Sequence, residues 1–257
     1  MKKIVMDTKN IIAAISLSIA IIVLWSLFFQ PVPDDSTGLG ESEKKLLNSS
    51  DMPTIDNEKK DEILSRNDAL QLSERIYFEN ESIKGSISLK GAAIDDLTFK
   101  KFKEKLESDE KVVLLNPKDT SLGYYVESGW VTSNKNIDLP DNNSLWKVDG
   151  NSKLSEKNDV KIIWENKQGL IFEKIISIDN QYLFTVKQNI KNRTSNIYNF
   201  YPYGQIIRKE LPEIIDFFIL HEGPIGVFDQ QLVEKDYKDI IDKKFSKNAN
   251  EGFLGIT

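Results

Sequence analysis

The chain has 257 residues, 40 acidic against 34 basic side chains, a net charge of −6, no cysteine and one histidine. The acidic balance argues against nucleic acid as a partner, since phosphate binding needs a surplus of Lys and Arg. Without cysteine there is no disulfide, no thiolate zinc site, no iron–sulfur ligation and no thiol nucleophile, and one histidine excludes a multi-histidine metal centre.

The first element is apolar. Ile11 to Phe29 runs for 19 residues without a charge. As a helix it spans about 28 Å, close to the hydrocarbon thickness of a bilayer. Trp25 and Phe28-Phe29 sit near its end, where aromatics favour the headgroup layer. The block is longer than a signal-peptide core and lacks a small-residue cleavage site, so it reads as an uncleaved anchor. Lys2, Lys3 and Lys9 precede it, and Asp34, Asp35, Glu41 and Glu43 follow it. The positive flank stays inside, which places the N-terminus in the cytoplasm and residues from 31 onward across the membrane. Residues 1–30 are thus the cytoplasmic N-terminus and transmembrane anchor.

Residues 31–72 are poor in aromatics, rich in Asp, Glu, Lys, Ser and Asn, and punctuated by Pro31, Pro33 and Pro53. They read as a polar linker, with only a thin apolar face (Ile63, Leu64, Leu70, Leu72) for a helix near Glu58–Leu72.

Residues 73–257 read as one β domain. Strands are expected at Arg75–Phe78, then at Ile83–Leu89, closed by a turn at Lys90-Gly91-Ala92. Ile94, Leu97 and Phe99 follow, and the break in their alternation at Asp95-Asp96 predicts a bulge. Val112–Leu115 predicts a short buried strand stopped by Asn116-Pro117. Tyr124–Trp130, Val160–Trp164, Leu170–Ile178, Leu183–Ile190 and Ile197–Ile207 continue the series. Turns fall at Lys167-Gln168-Gly169 and Asp179-Asn180-Gln181. Many short strands at this spacing predict a large antiparallel sandwich. A short helix is expected from Glu234 to Asp242, with Val233, Tyr237, Ile240 and Ile241 on one face. No internal repeat is evident.

The search for chemistry yields no catalytic constellation. His221 has Glu222 beside it but no Gly-x-Ser-x-Gly elbow to supply a nucleophile. Neighbouring strand residues such as Asp95 and Asp96 point to opposite faces unless a bulge intervenes, so turn chemistry explains them more cheaply than acid–base work. Lys100, Lys101, Lys103 and Lys105 are interleaved with Glu104, Glu107, Asp109 and Glu110, a solvated edge. Trp130, Trp146 and Trp164 in strands are core aromatics unless an exposed groove makes them a sugar platform. There is no glycine-rich nucleotide motif, phosphate loop or calcium loop. No catalytic, cofactor-binding or metal residue is assigned, and the chain is not expected to be an enzyme.

Several segments resemble the YidC membrane protein insertases of Gram-negative bacteria, within the Oxa–YidC–Alb family. They are Met6-Asp7-Thr8-Lys9-Asn10 before the apolar helix, the run from Lys84 through Gly85, Gly91 and Ile94 to Leu97, Val112–Pro117, Tyr124–Trp130, His221–Val227 and Gly252–Thr257. The resemblance implies a first membrane helix and then a periplasmic β-supersandwich akin to galactose-mutarotase-like domains. It implies insertion, chaperoning and assembly of inner-membrane proteins, alone or with the Sec translocon (SecYEG, SecD–SecF). Implied partners are the lipid bilayer and nascent inner-membrane proteins, with no cofactor and a location at the bacterial inner membrane. In that family insertion depends on a later bundle of five membrane helices holding an intramembrane arginine, whose burial is costly and so functional. No second apolar block of that length occurs here, and Asp216 interrupts Ile214–Leu220. The resemblance therefore implies the N-terminal part of an insertase. The rival expectation is a membrane-anchored carbohydrate-binding or sugar-modifying protein on the same β architecture, with an exposed aromatic groove flanked by carboxylates.

Overall fold

The computed structural model describes residues 16–19, 21, 63–211 and 221–257. The chain divides into two compact units, residues 1–50 and 51–257. In the first, Ser16–Ile19 and Ile21 are helical, and Leu17, Ile19 and Ile21 are exposed. The rest of the predicted anchor, and the 214–220 run, lie outside the described residues. Among the described residues no helix is long and apolar enough to cross a membrane.

The second unit is mainly antiparallel β. Its strands are β1 Arg75–Glu79, β2 Ile83–Ser88, β3 Ile94–Lys103, β4 Lys111–Leu115, β5 Tyr124–Val131, β6 Lys147–Val148, β7 Val160–Glu165, β8 Leu170–Ile178, β9 Phe184–Asn192, β10 Tyr201–Arg208, β11 Pro224–Phe228, β12 Gln231–Glu234 and β13 Gly252–Ile256. Two short helices accompany them, α1 Arg66–Leu70 and α2 Tyr237–Asp242. One sheet runs β1-β2-β3-β5-β10 with β4 also on β3, the second runs β6-β7-β8-β9, and a small third runs β12-β11-β13.

Alternation explains the first two sheets. Ile76 and Phe78 of β1 are buried while Tyr77 between them is exposed. On β8 the residues Leu170, Phe172, Ile176 and Ile178 share one face and enter a common core. That core also holds Ile83 and Ile87 of β2, Leu97 of β3, Trp130 of β5 and Ile162 of β7. The first two sheets therefore pack face to face as a sandwich. Phe172 is fully buried and meets Trp130, Trp164 and Phe200 at centroid distances of 5.2, 5.7 and 5.8 Å.

The bulge predicted at Asp95-Asp96 is present. Ser86 pairs with Asp96 and Ile87 with Ile94, which leaves Asp95 as the extra residue. Gly85 is required beside it: a Cβ there would collide with the Asp96 carbonyl. The Lys90-Gly91-Ala92 turn is also present, with Gly91 and Ala92 at φ of 74° and 55°.

Four expectations are corrected. Residues 64–72 do not behave as linker. Ser65 caps α1 by accepting from the Asp68 N–H at 3.2 Å, Ala69 is buried, and the Leu64 N–H donates to the Asp119 carbonyl at 3.0 Å. Composition hid this because tertiary bonds, not a broad apolar stripe, hold the helix. Strand β4 is half-buried rather than buried, since it lies on the β3 edge with only Leu115 inside. Ile197 lies outside β10 and is 94% exposed. Val233 and Glu234 belong to β12, not to the predicted helix, which begins at Tyr237 and leaves Ile241 exposed.

Because the Phe172 ring fills the centre of the sandwich, Phe172→Ala should lower unfolding free energy by about 3–5 kcal/mol. Urea denaturation followed by tryptophan fluorescence would measure it, and a loss under about 1 kcal/mol would contradict the assigned core.

Candidate functional site

The bulge gathers charge that a regular strand would separate. Asp95 accepts from the Arg75 guanidinium, and Arg75 Nε donates to Ser86 Oγ at 2.7 Å. Ser86 Oγ in turn donates to Asp96 Oδ2 at 2.6 Å. Asp96 also accepts from Arg66 of α1, whose Nε donates to Asn116 Oδ1 at 3.1 Å. The two carboxylates thus sit in one network, each with its own arginine. Burial pushes the Asp95 carboxyl above its usual range, while the Arg75 guanidinium pulls it down. Each carboxylate is held by an arginine of the domain itself, Asp95 by Arg75 and Asp96 by Arg66. The arrangement joins α1, β1, β2 and β3.

On either side of this network lie two hollows. A polar crevice of about 20 Å³ is lined by Arg75, Ser88, Asp95, Tyr125 and Glu127, room for a single water. A trough of about 950 Å³ opens on the outside of the first sheet, over Tyr77, Gly85, Thr98 and Val113. Its walls mix Arg66, Lys84, Lys111 and Lys153 with Glu79, Asp96, Glu104 and Glu110. Balanced charge over a strand surface favours no small anion or cation.

The other candidates resolve individually. Trp130 and Trp146 are stacked in the core at 6.4 Å, and Trp164 packs on Phe172, so none of them provides an aromatic platform in the trough. Lys100 pairs with Glu79 at 2.8 Å and Lys103 with Asp109 at 2.9 Å, the solvated edge expected of that cluster. His221 Nδ1 lies 3.7 Å from Asp236 Oδ1, and Nε2 is buried without a hydrogen-bond partner among the described residues. Among the described residues no three His, Asp or Glu side chains converge to hold a metal ion.

One group escaped the sequence reading. Lys174 lies on the core face of β8 between Phe172 and Ile176 and is 1% exposed. Its ammonium donates to the Ser128 carbonyl at 2.7 Å and stands 4.9 Å over the Trp146 ring. Gln188 Nε2 bonds the next carbonyl, that of Gly129, at 2.8 Å. Both stitch the second sheet to β5. Burial pulls the Lys174 amine down to about 8, with Glu127 opposing. Nearby Tyr203 is pushed up to about 12 by burial and by Glu127 and Asp141. The signal was present in the sequence: Glu173-Lys174 is the one charged pair inside an otherwise apolar strand.

Two outcomes follow from these geometries. Arg75→Met should cost about 3–5 kcal/mol by leaving Asp95 buried and unpaired, and Arg75→Met with Asp95→Asn should recover a large part of that loss. Equal losses in the single and double variants, measured by urea midpoint, would rule out a coupled pair. Lys174 gives a pH signature. Below about pH 8 it is charged in both folded and unfolded chains. Between about 8 and the ordinary 10.5 the unfolded chain keeps the proton and the folded one has lost it, so stability rises with pH. The slope reaches on the order of 1.4 kcal/mol per pH unit. Lys174→Met should flatten this rise in thermal melts from pH 7 to 10, and an unchanged slope would remove Lys174 as its source.

Comparison with known proteins gives this architecture a family. Residues 75–257 match the family described as the YidC periplasmic domain. The chain is 54% identical over 252 residues to the membrane protein insertase YidC of Pelagibacter ubique, covering 98% of this chain and 45% of that protein. It is 36% identical to the YidC of Rickettsia prowazekii (96% of this chain, 44% of the relative) and 34% identical to that of Dinoroseobacter shibae (93% and 41%). The chain thus spans less than half the length of these curated relatives. A continuous match from the first strand to the last, on a mainly antiparallel β unit, shows that the chain belongs to the YidC family of membrane protein insertases, with residues 75–257 matching its periplasmic domain.

Proposed function

We propose that this chain is the anchor and periplasmic module of a YidC-type insertase, and that it works by binding and positioning rather than by catalysis. The observation that carries this reading is the family match over residues 75–257 together with 54% identity to a named insertase. In this reading Ile11–Phe29 crosses the inner membrane with the N-terminus in the cytoplasm. Residues 31–63 tether the sandwich, which takes the mutarotase-like supersandwich form. The substrates are nascent inner-membrane proteins, the solvent is the lipid bilayer, and the Sec translocon (SecYEG, SecD–SecF) is a neighbour. No cofactor is required.

The physical support for a non-catalytic role is the chemistry of the buried charges. Asp95, Asp96 and Lys174 are each engaged by groups of the domain itself. Buried polar groups satisfied in this way rigidify a scaffold and are poor proton shuttles. A rigid sandwich with a polypeptide-sized trough presents a surface to a partner without spending ordering entropy at the moment of contact.

The test is insertion of a small single-span substrate in cells depleted of their own insertase. The chain alone should give background insertion. Fused to the five-helix remainder of a family member, it should restore insertion. Full insertion by the chain alone would refute the modular account, and so would failure of the fusion under conditions where an intact family member succeeds.

A further inference from the structure

The β12-β11-β13 sheet has a chemically distinctive face. Gly226 of β11 pairs with Val233 of β12 and Leu254 of β13, and Phe228 pairs with Gln231 and Gly252. Alternation places Val233, Gly226, Leu254, Phe228 and Gln231 on one side. The Phe228 ring folds over Gly226, where a Cβ would lie 2.7 Å from it. The Lys235 N–H donates to the Pro224 carbonyl at 3.0 Å, so Lys235 continues the same face.

Across this face runs Lys243-Lys244-Phe245-Ser246-Lys247. Lys235 Nζ stands 5.3 Å over the Phe245 ring, and Lys247 Nζ stands 5.7 Å over Phe228 and donates to Gln231 Oε1 at 3.1 Å. Leu254 is 67% exposed and Phe245 43%, with Lys243 and Lys244 exposed beside them. No acid occurs between Asp242 and Glu251, in a chain of net charge −6. Phe245 thus has Lys235 over its ring and Lys243 and Lys244 beside it in the chain, while Leu254 shares the sheet face with Phe228, over which Lys247 stands.

We propose that this face docks on an anionic phospholipid bilayer. An ammonium is a compact point charge without the planar fork that reads a carboxylate side chain bidentately, so a group of lysines suits diffuse headgroup charge. Leu254 and Phe245 have the size and exposure to enter the shallow interfacial layer while the lysines stay at headgroup level. The ring contacts hold Lys235 and Lys247 over the sheet and lessen the entropy lost on docking. The inference rests on this surface alone and holds whether or not the insertase reading does.

The chain has no cysteine, so Ser246→Cys provides a single labelling position. The full chain carrying an environment-sensitive fluorophore there is reconstituted in phosphatidylcholine vesicles with and without phosphatidylglycerol, each doped with a headgroup nitroxide lipid. Docking predicts blue-shifted emission and nitroxide quenching in the anionic vesicles, both weak in the neutral ones. Replacing Lys243, Lys244 and Lys247 by Gln should lower the quenched fraction about tenfold or more, and a label at exposed Ser152 should stay unquenched throughout. Quenching at Ser246→Cys no stronger than at Ser152→Cys, or indifferent to phosphatidylglycerol, overturns the proposal. Blue-shifted emission without lipid quenching also overturns it, since a protein surface would then be covering the face.

Discussion

One inserted residue organises the first sheet. By slipping the β2–β3 register, Asp95 brings two consecutive carboxylates into one network, Asp96 bonded by Ser86 and Asp95 by the Arg75 that also donates to Ser86, and each carboxylate receives an arginine. Arg75 comes from the neighbouring edge strand and Arg66 from a helix that precedes the sheet. Burying either aspartate unpaired would cost several kcal/mol, so the network decides more than local geometry. It fixes α1 against the sheet, because α1 has little apolar surface with which to hold itself there. Its one buried residue is Ala69.

The second constraint runs between the sheets. A sandwich held by apolar contact alone tolerates small slips, because hydrophobic burial is not directional. Lys174 and Gln188 remove that freedom by addressing the consecutive carbonyls of Ser128 and Gly129. Each bond satisfies a buried donor while fixing the second sheet at one register against β5. Burying the amine costs desolvation free energy, which its lowered proton affinity records. Geometry is gained in exchange: Trp146 lies under the ammonium and Trp130 under Trp146.

What the sequence revealed tracks the strength of periodicity. Strands β1, β2, β5, β7, β8 and β9 have two or more alternating apolar residues and clear turn chemistry at their ends, and each appears within a residue or two of its expected place. The bulge was visible because alternation fails at one point only. Strands β11 to β13 were not legible as strands from pattern: they are four or five residues long, carry Gly226, Gly252 and Gly255, and expose apolar groups on both faces, which erases the period-two signal. Helix α1 was hidden for a different reason, since a long-range arginine–aspartate pair leaves no trace in local composition. Lys174 was passed over because a charge in an apolar strand reads as a solvent-facing break until the opposite sheet is known.

The same constraints decide what the domain can offer to a partner. Its ionisable interior is spent on internal bonds, leaving the outer surface to do any binding. That surface has two unlike regions, a charge-balanced trough over the first sheet and a lysine-bearing apolar face on the third. Alternating charge along a strand surface has no preferred single-charge ligand, whereas lysines gathered around exposed aromatic and aliphatic groups have one in an anionic interface. The small third sheet is bound to the rest through Arg208, which reaches both the Tyr237 hydroxyl at 3.3 Å and the Thr257 carbonyl at 3.4 Å while lying over the Tyr124 ring. The Arg208 guanidinium thereby bridges β10 and β5 to α2 and to the end of β13, a polar link added where the third sheet meets the first.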